Sequence, residues 1–250
     1  MEAWQLIIYG SVGFFMSILS GIAGAGGGFI MTPLLILLGL TPAQAVSSGK
    51  FNGLAVTIGS LSGLRTYRGQ ISKKKVGAIM LLAFAVGLIV PFVIKSLESR
   101  VYRISLGVIL LLMIPLMIYK KLGIKPRQPS LIQKGLGGIL LTISLFLQGV
   151  FSGGLGSLVN IVLMGMLGMT AAEANITKRW SQLILNTTII FGVLGSGLII
   201  WRVVAVAIIA SLTGSYIGGR LAVKRGDAFI VNVMLVLMLI SGLILIIGAL

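Results

Sequence analysis

Long apolar runs, a glycine-rich break that occurs twice, and basic loops that change places between the two halves predict an all-α, polytopic membrane protein. The expected build is two inverted-topology repeats of about five membrane segments each, with short or broken glycine-rich helices. Of the 250 residues, 57% are hydrophobic and only 10% are charged, and the mean hydropathy is +1.13. A soluble domain carries about 25% charged residues, so a chain this apolar belongs in a bilayer. Helices suit that solvent because each satisfies its own backbone amides. A spanning barrel would show short alternating segments instead.

The first apolar run is Leu6–Ile22. Its length and small-residue end are those of a signal peptide, but Glu2 stands where a positive n-region would be, and the same glycine-rich end recurs internally at Gly149–Gly156. It is therefore read as a retained helix. Phe29–Leu40, Ala45–Leu64, Val76–Ile94 and Ile104–Tyr119 follow. After a polar connector, Lys120–Lys134, come Gly135–Phe151, Leu155–Met169, Trp180–Ile200, Val203–Gly219 and Phe229–Leu250. The second run of each half is short. As a helix, Phe29–Leu40 reaches only about 18 Å, against a hydrocarbon core of about 30 Å. Such a segment either pairs with a neighbour as a re-entrant hairpin or crosses at a thinned waist. Irregular backbone at that depth must be buried in protein or line a cavity.

Five runs, a connector and five runs in the same order suggest repeats at residues 1–127 and 128–250. Shifting the sequence by 128 residues aligns Gly21 with Gly149 and Gly28 with Gly156. One residue more aligns Gly39, Thr41, Ala43, Ala45 and Gly63 with Gly168, Thr170, Ala172, Ala174 and Gly192. That register also lays Lys50-Phe51-Asn52 on Arg179-Trp180-Ser181. Loop charge then sets orientation. Arg65, Arg68, Lys73, Lys74 and Lys75 make the loop after the third run basic, whereas its counterpart near Gly197–Arg202 has one cation. Arg220, Lys224 and Arg225 follow the fourth run of the second half. The positive-inside rule places these basic loops and Lys120–Lys134 in the cytoplasm and both termini outside, so the second half is inverted. The net charge of +16 is thus a topology signal, and nucleic acid is not an expected partner.

A cation at the centre of a membrane helix costs about 2.5–3.5 kcal/mol, and the chain carries one at the same place in each half. Lys50 and Arg179 are therefore candidate anion-binding residues, with snorkelling to the headgroups or an ion pair of Arg179 with Glu173 as the structural readings. The glycine-rich breaks add Gly24, Gly26, Gly27 and Gly28 in the first half and Ser152, Gly153, Gly154 and Gly156 in the second. Backbone freed of side chains can turn amide N–H groups into a cavity, and the helix that follows presents its positive end. Close helix packing through small residues is the competing reading. Neither break ends in Gly-Lys-Ser/Thr, so neither is a nucleotide loop. Asn52 and Ser181, with Thr57, Asn160, Asn175, Gln182 and Asn186, are candidate lining residues, and Phe51 and Trp180 candidate walls. Glu173 is the one acidic residue near membrane depth. It is either a proton-coupling group or a carboxylate at a helix start. No hydrolytic triad or metal cluster is visible and the chain has no cysteine or histidine, so neither catalysis nor a cofactor is expected.

At these residues the chain resembles the sulfite exporter TauE/SafE family of membrane permeases. The resemblance rests on Gly21–Gly28 with Pro33 and Gly39, on the weaker copy Gly149–Gly156 with Gly168, and on the small-residue stretch Gly214–Ala222. Pro33 has no counterpart in the second copy, where Ile161 and Val162 flank the position. What the resemblance implies is a prokaryotic inner-membrane carrier for sulfite, an organosulfonate or a related small anion. The expected function is secondary transport by alternating access, with an anion channel or a non-transporting scaffold as alternatives. The expected partners are the anion and the bilayer, and a homodimer is one assembly open to it.

Overall fold

The computed structural model describes residues 2–23, 28–63, 72–121, 129–151 and 155–221, together with Leu239 and Leu243. These described residues form nine helices and no strand. In chain order they are α1 (Ala3–Ala23), α2 (Gly28–Leu37), α3 (Pro42–Gly63), α4 (Lys73–Lys95), α5 (Ser99–Lys121), α6 (Leu131–Phe151), α7 (Gly156–Gly165), α8 (Ala171–Val193) and α9 (Trp201–Leu221). The tenth expected segment lies outside the described residues, apart from helical Leu239 and Leu243. Among the described residues, Ala3–Gly21, Lys73–Lys95, Leu131–Phe151 and Trp201–Leu221 are long and apolar enough to cross a membrane.

Local chemistry sets the helix ends. Gly39 adopts φ 98°, and the amides of Gly39 and Leu40 return to the carbonyls of Ile36 (3.1 Å) and Leu35 (3.0 Å), closing α2 with a left-handed C-terminal cap. Gly168, its counterpart in the alignment, has φ 66°. The next helix then begins with a capping box. The Thr41 amide donates to Gln44 Oε1 at 3.2 Å and the Gln44 amide to Thr41 Oγ1 at 3.3 Å. Thr170 and Glu173 repeat this arrangement at α8, at 2.9 and 3.3 Å.

That second cap corrects the expected segment Trp180–Ile200, because α8 starts nine residues earlier and ends at Val193. Thr177, Lys178 and Arg179 interrupt the apolar run but are buried inside the bundle, so their polarity does not mark a helix boundary. After α8, Gly197 at φ 69° turns the chain into α9.

The packing registers reveal helix directions. Along α1 and α9, Gly10 lies against Val206, Gly13 against Ala210, Gly214 against Phe14 and Ser17, and Gly218 against Ile18. Both numbers rise together, so the two helices run parallel. The same holds for α3 and α9, through Ser48 with Ile200, Asn52 with Ser211 and Gly59 with Ser215. It also holds for α4 and α8, through Gly87 with Thr188 and Pro91 with Gly192. By contrast, α2 folds back along α1: Gln5 Nε2 donates to the Leu38 carbonyl at 3.2 Å, and Met31 packs at Gly13. The short second segment is thus the returning arm of a hairpin. Helices α3 and α8 pack against each other, α3 also against α1, α2 and α9, and α8 also against α4, α6 and α7.

Candidate functional site

Lys50 and Arg179 occupy matching places, each eight residues after the first residue of its helix (Pro42 and Ala171). Both are enclosed by protein, with 1% and 3% exposure. Snorkelling to the headgroups is therefore not what these side chains do. Lys50 Nζ donates to the carbonyl of Gly149 and, at 3.4 Å, to that of Gln148. Arg179 Nη2 donates to the carbonyl of Gly21 at 3.3 Å, and its Nε to Asn175 Oδ1 at 3.2 Å. Each cation thus meets the end of the helix just before the glycine break of the other half. Carbonyls at a helix C-terminus lack intrahelical donors and carry the negative end of the dipole, so they are natural partners for a cation.

The ion pair of Arg179 with Glu173 is not formed. The Glu173 carboxylate accepts from the Thr170 amide and hydroxyl, at 2.9 and 3.2 Å, in the first turn of α8. Among the described residues no group of three or more acidic residues gathers where a metal could bind.

Of the glycine-break residues, Gly24, Gly26, Gly27, Ser152, Gly153 and Gly154 lie outside the described residues. Gly28 and Gly156 are the first described residues of α2 and α7. No side chain caps the start of α7 from its N-cap, Leu155. Asn52 is buried and accepts a hydrogen bond from the Ser211 hydroxyl, linking α3 to α9, while its Nδ2 is unpartnered. Ser181 turns back onto the Lys178 carbonyl of its own helix, at 2.8 Å. Trp180 is 40% exposed and faces outward, and Phe51 packs edge to face on Trp201 at 5.8 Å, so neither aromatic is placed as a wall.

The structure adds polar groups that sequence reading passed over. Ser20 and Gln148 precede the two acceptor glycines and match under the 128-residue shift. Thr32 of α2 matches Asn160 of α7, already a candidate lining residue, under the same shift. All four are buried and hold an oxygen with no hydrogen-bond partner among the described residues. The Tyr102 hydroxyl of α5 is likewise buried and unpartnered, and its ring stacks at 5.3 Å on Phe151, the last residue of α6. Comparing polar residues, rather than glycines alone, across the repeat would have found Ser20, Gln148 and Thr32.

The sequence profile of the family Sulfite exporter TauE/SafE matches residues 9–245. A Haemophilus influenzae protein named "Probable membrane transporter protein" is 26% identical over 231 residues, covering 90% of this chain and 88% of its own length. The Bacillus subtilis "Probable membrane transporter protein YjnA" is 26% identical, with 94% of this chain and 97% of that protein covered. The "Probable membrane transporter protein YfcA" of Escherichia coli K12 is 25% identical, with 87% and 82% covered. No solved structure matches the chain significantly.

Proposed function

Because the chain belongs to the sulfite exporter TauE/SafE family, we propose that it is a secondary transporter that moves a small anion, such as sulfite or an organosulfonate, by alternating access. Residues 1–127 and 128–250 form the two inverted halves of this transporter. Lys50 and Arg179 are the residues that bind the anion, helped by the helix starts at Gly28 and Gly156 and the breaks before them. Glu173 is the group through which proton coupling would run. The membrane is the prokaryotic inner membrane, with both termini outside.

The single observation carrying this reading is the pair of buried cations that have, among the described residues, carbonyls and the Asn175 carboxamide as partners but no carboxylate. A buried cation is strongly disfavoured unless paired, and an anionic cargo supplies what the protein withholds. The exchange of partners between halves supports the inverted repeat, since one operation that swaps α1 with α6 and α3 with α8 swaps the two sets of hydrogen bonds. The parallel pairs support it too: α3 with α9 is answered by α8 with α4.

Sulfite flux into proteoliposomes tests the proposal. A carrier saturates with concentration and shows counterflow when the vesicles are preloaded with unlabelled sulfite. Flux without saturation or counterflow would assign a channel, and no flux of any small anion would leave a scaffold.

A further inference from the structure

The two cations do not share one centre. The Gln5–Leu38 hydrogen bond sets the α2–α3 turn beside the first turn of α1, whereas Arg179 meets α1 at Gly21. From Gln5 to Gly21 the helix axis advances about 24 Å, at 1.5 Å per residue. Lys50 lies only about 12 Å along α3 from that same turn. The other half gives the same picture. Gly137 of α6 packs on Met166 and Leu167 in the α7–α8 turn, while Lys50 meets α6 at Gly149, about 18 Å further along. Arg179 is about 12 Å along α8 from that turn. Lys50 and Arg179 are therefore on the order of 10 Å apart in depth.

We propose that the cargo is handed between two positions at different depths, an outer one at Lys50 beside the end of α6 and an inner one at Arg179 beside the end of α1. This rests on the reading of the chain as an anion transporter. Each position combines a cation from one half with a helix end from the other. Each also lies beside a buried side-chain oxygen with no partner among the described residues: Gln148 and Thr32, whose hydroxyl lies against Gly49, on the Lys50 side, and Ser20, next to Gly21, on the Arg179 side. The Thr32 and Ser20 hydroxyls can each donate an O–H to an oxyanion.

When a position is empty its cation rests on backbone carbonyls, which stand in for the anion. An arriving oxyanion is the stronger acceptor. It takes the cation and releases the helix end, so occupancy of a position is tied to freeing the end of α6 or α1. The positions also differ in chemistry. Lys50 offers a compact ammonium, whereas the Arg179 guanidinium presents a planar fork suited to two oxygens at once. A polyoxo anion fits both positions, and a halide only the first.

Sided sulfite uptake separates two positions from one. The chain has no cysteine, so Ser72→Cys with an impermeant thiol reagent can silence one orientation in proteoliposomes. Lys50→Gln and Arg179→Gln are compared with Lys50→Arg and Arg179→Lys, which keep the charge if the neutral variants do not fold. The Lys50 variants are expected to raise half-saturation about tenfold for sulfite offered outside, with less than a twofold change for sulfite offered inside. The Arg179 variants are expected to do the reverse. Equal shifts from both faces for either cation would overturn the two-position account while leaving anion transport intact. A wild-type protein that carries no sulfite, sulfate or methanesulfonate would instead overturn the transport reading on which it rests.

Discussion

Arg179 of α8 donates to the carbonyl of Gly21 at the end of α1, 3.3 Å away, and Lys50 of α3 makes the equivalent bond to Gly149 at the end of α6. Two residues that the sequence aligns have partners that the sequence also aligns, but in exchanged halves. The end of α6 thereby takes its cation from α3, and the end of α1 takes its cation from α8.

The close approach of α1 and α9 depends on glycine. A Cβ at Gly218 would run into the Ile18 carbonyl, and one at Gly214 into the Phe14 carbonyl, whereas one at Gly77 would meet nothing within 4 Å. Gly218→Val is expected to lower stability in detergent by about 1–3 kcal/mol through overpacking. Gly77→Ala on α4 should not destabilise. Denaturant unfolding of the two variants side by side checks the contrast.

The Ser211–Asn52 hydrogen bond joins α9 to α3 within the bundle. Interhelical polar contacts of this kind average about 0.6 kcal/mol in membrane proteins. A double-mutant cycle with Ser211→Ala and Asn52→Ala should return a coupling of that size. A coupling indistinguishable from zero would mean the contact does not hold the two helices together.

Glu173 has one visible task, capping α8, and Gln44 performs the same task at α3. Glu173→Gln should therefore preserve the cap and leave thermal stability unchanged, while Thr170→Ala should cost about 1 kcal/mol. If Glu173 also couples protons, Glu173→Gln removes the dependence of sulfite flux on a pH gradient at constant total anion. Unaltered pH-gradient dependence in a fully folded variant would restrict the residue to capping.

Much of this architecture is legible in the sequence, for identifiable reasons. The apolar runs announce the helices because lipid imposes length and hydrophobicity together. Thr41 and Thr170 align and each begins a capping box, a local motif, but the apolar runs alone set the expected start of α8 nine residues late, at Trp180. The exchange of partners is not legible, since nothing in the spacing of Lys50 or Arg179 says which helix end each will meet. Ser181 looked equivalent to Asn52, yet one hydroxyl closes on its own helix and the other side chain reaches α9. Tyr102 escaped notice because an isolated hydroxyl in an apolar run carries no pattern until its burial is known, whereas Ser20 and Thr32 show only when polar residues, and not glycines alone, are compared across the repeat.

The central claim is that Lys50 and Arg179 bind the cargo. Its most direct test is the thermal stability of the purified protein as sulfite is titrated at constant ionic strength. A ligand that binds only the folded state at 100 times its Kd stabilises it by about 2.7 kcal/mol. The wild type should show a saturable rise in midpoint. Lys50→Gln and Arg179→Gln should each show a curve displaced to at least tenfold higher sulfite, and the double variant no rise at all. A double variant that folds and is stabilised by sulfite as strongly as the wild type would contradict the account.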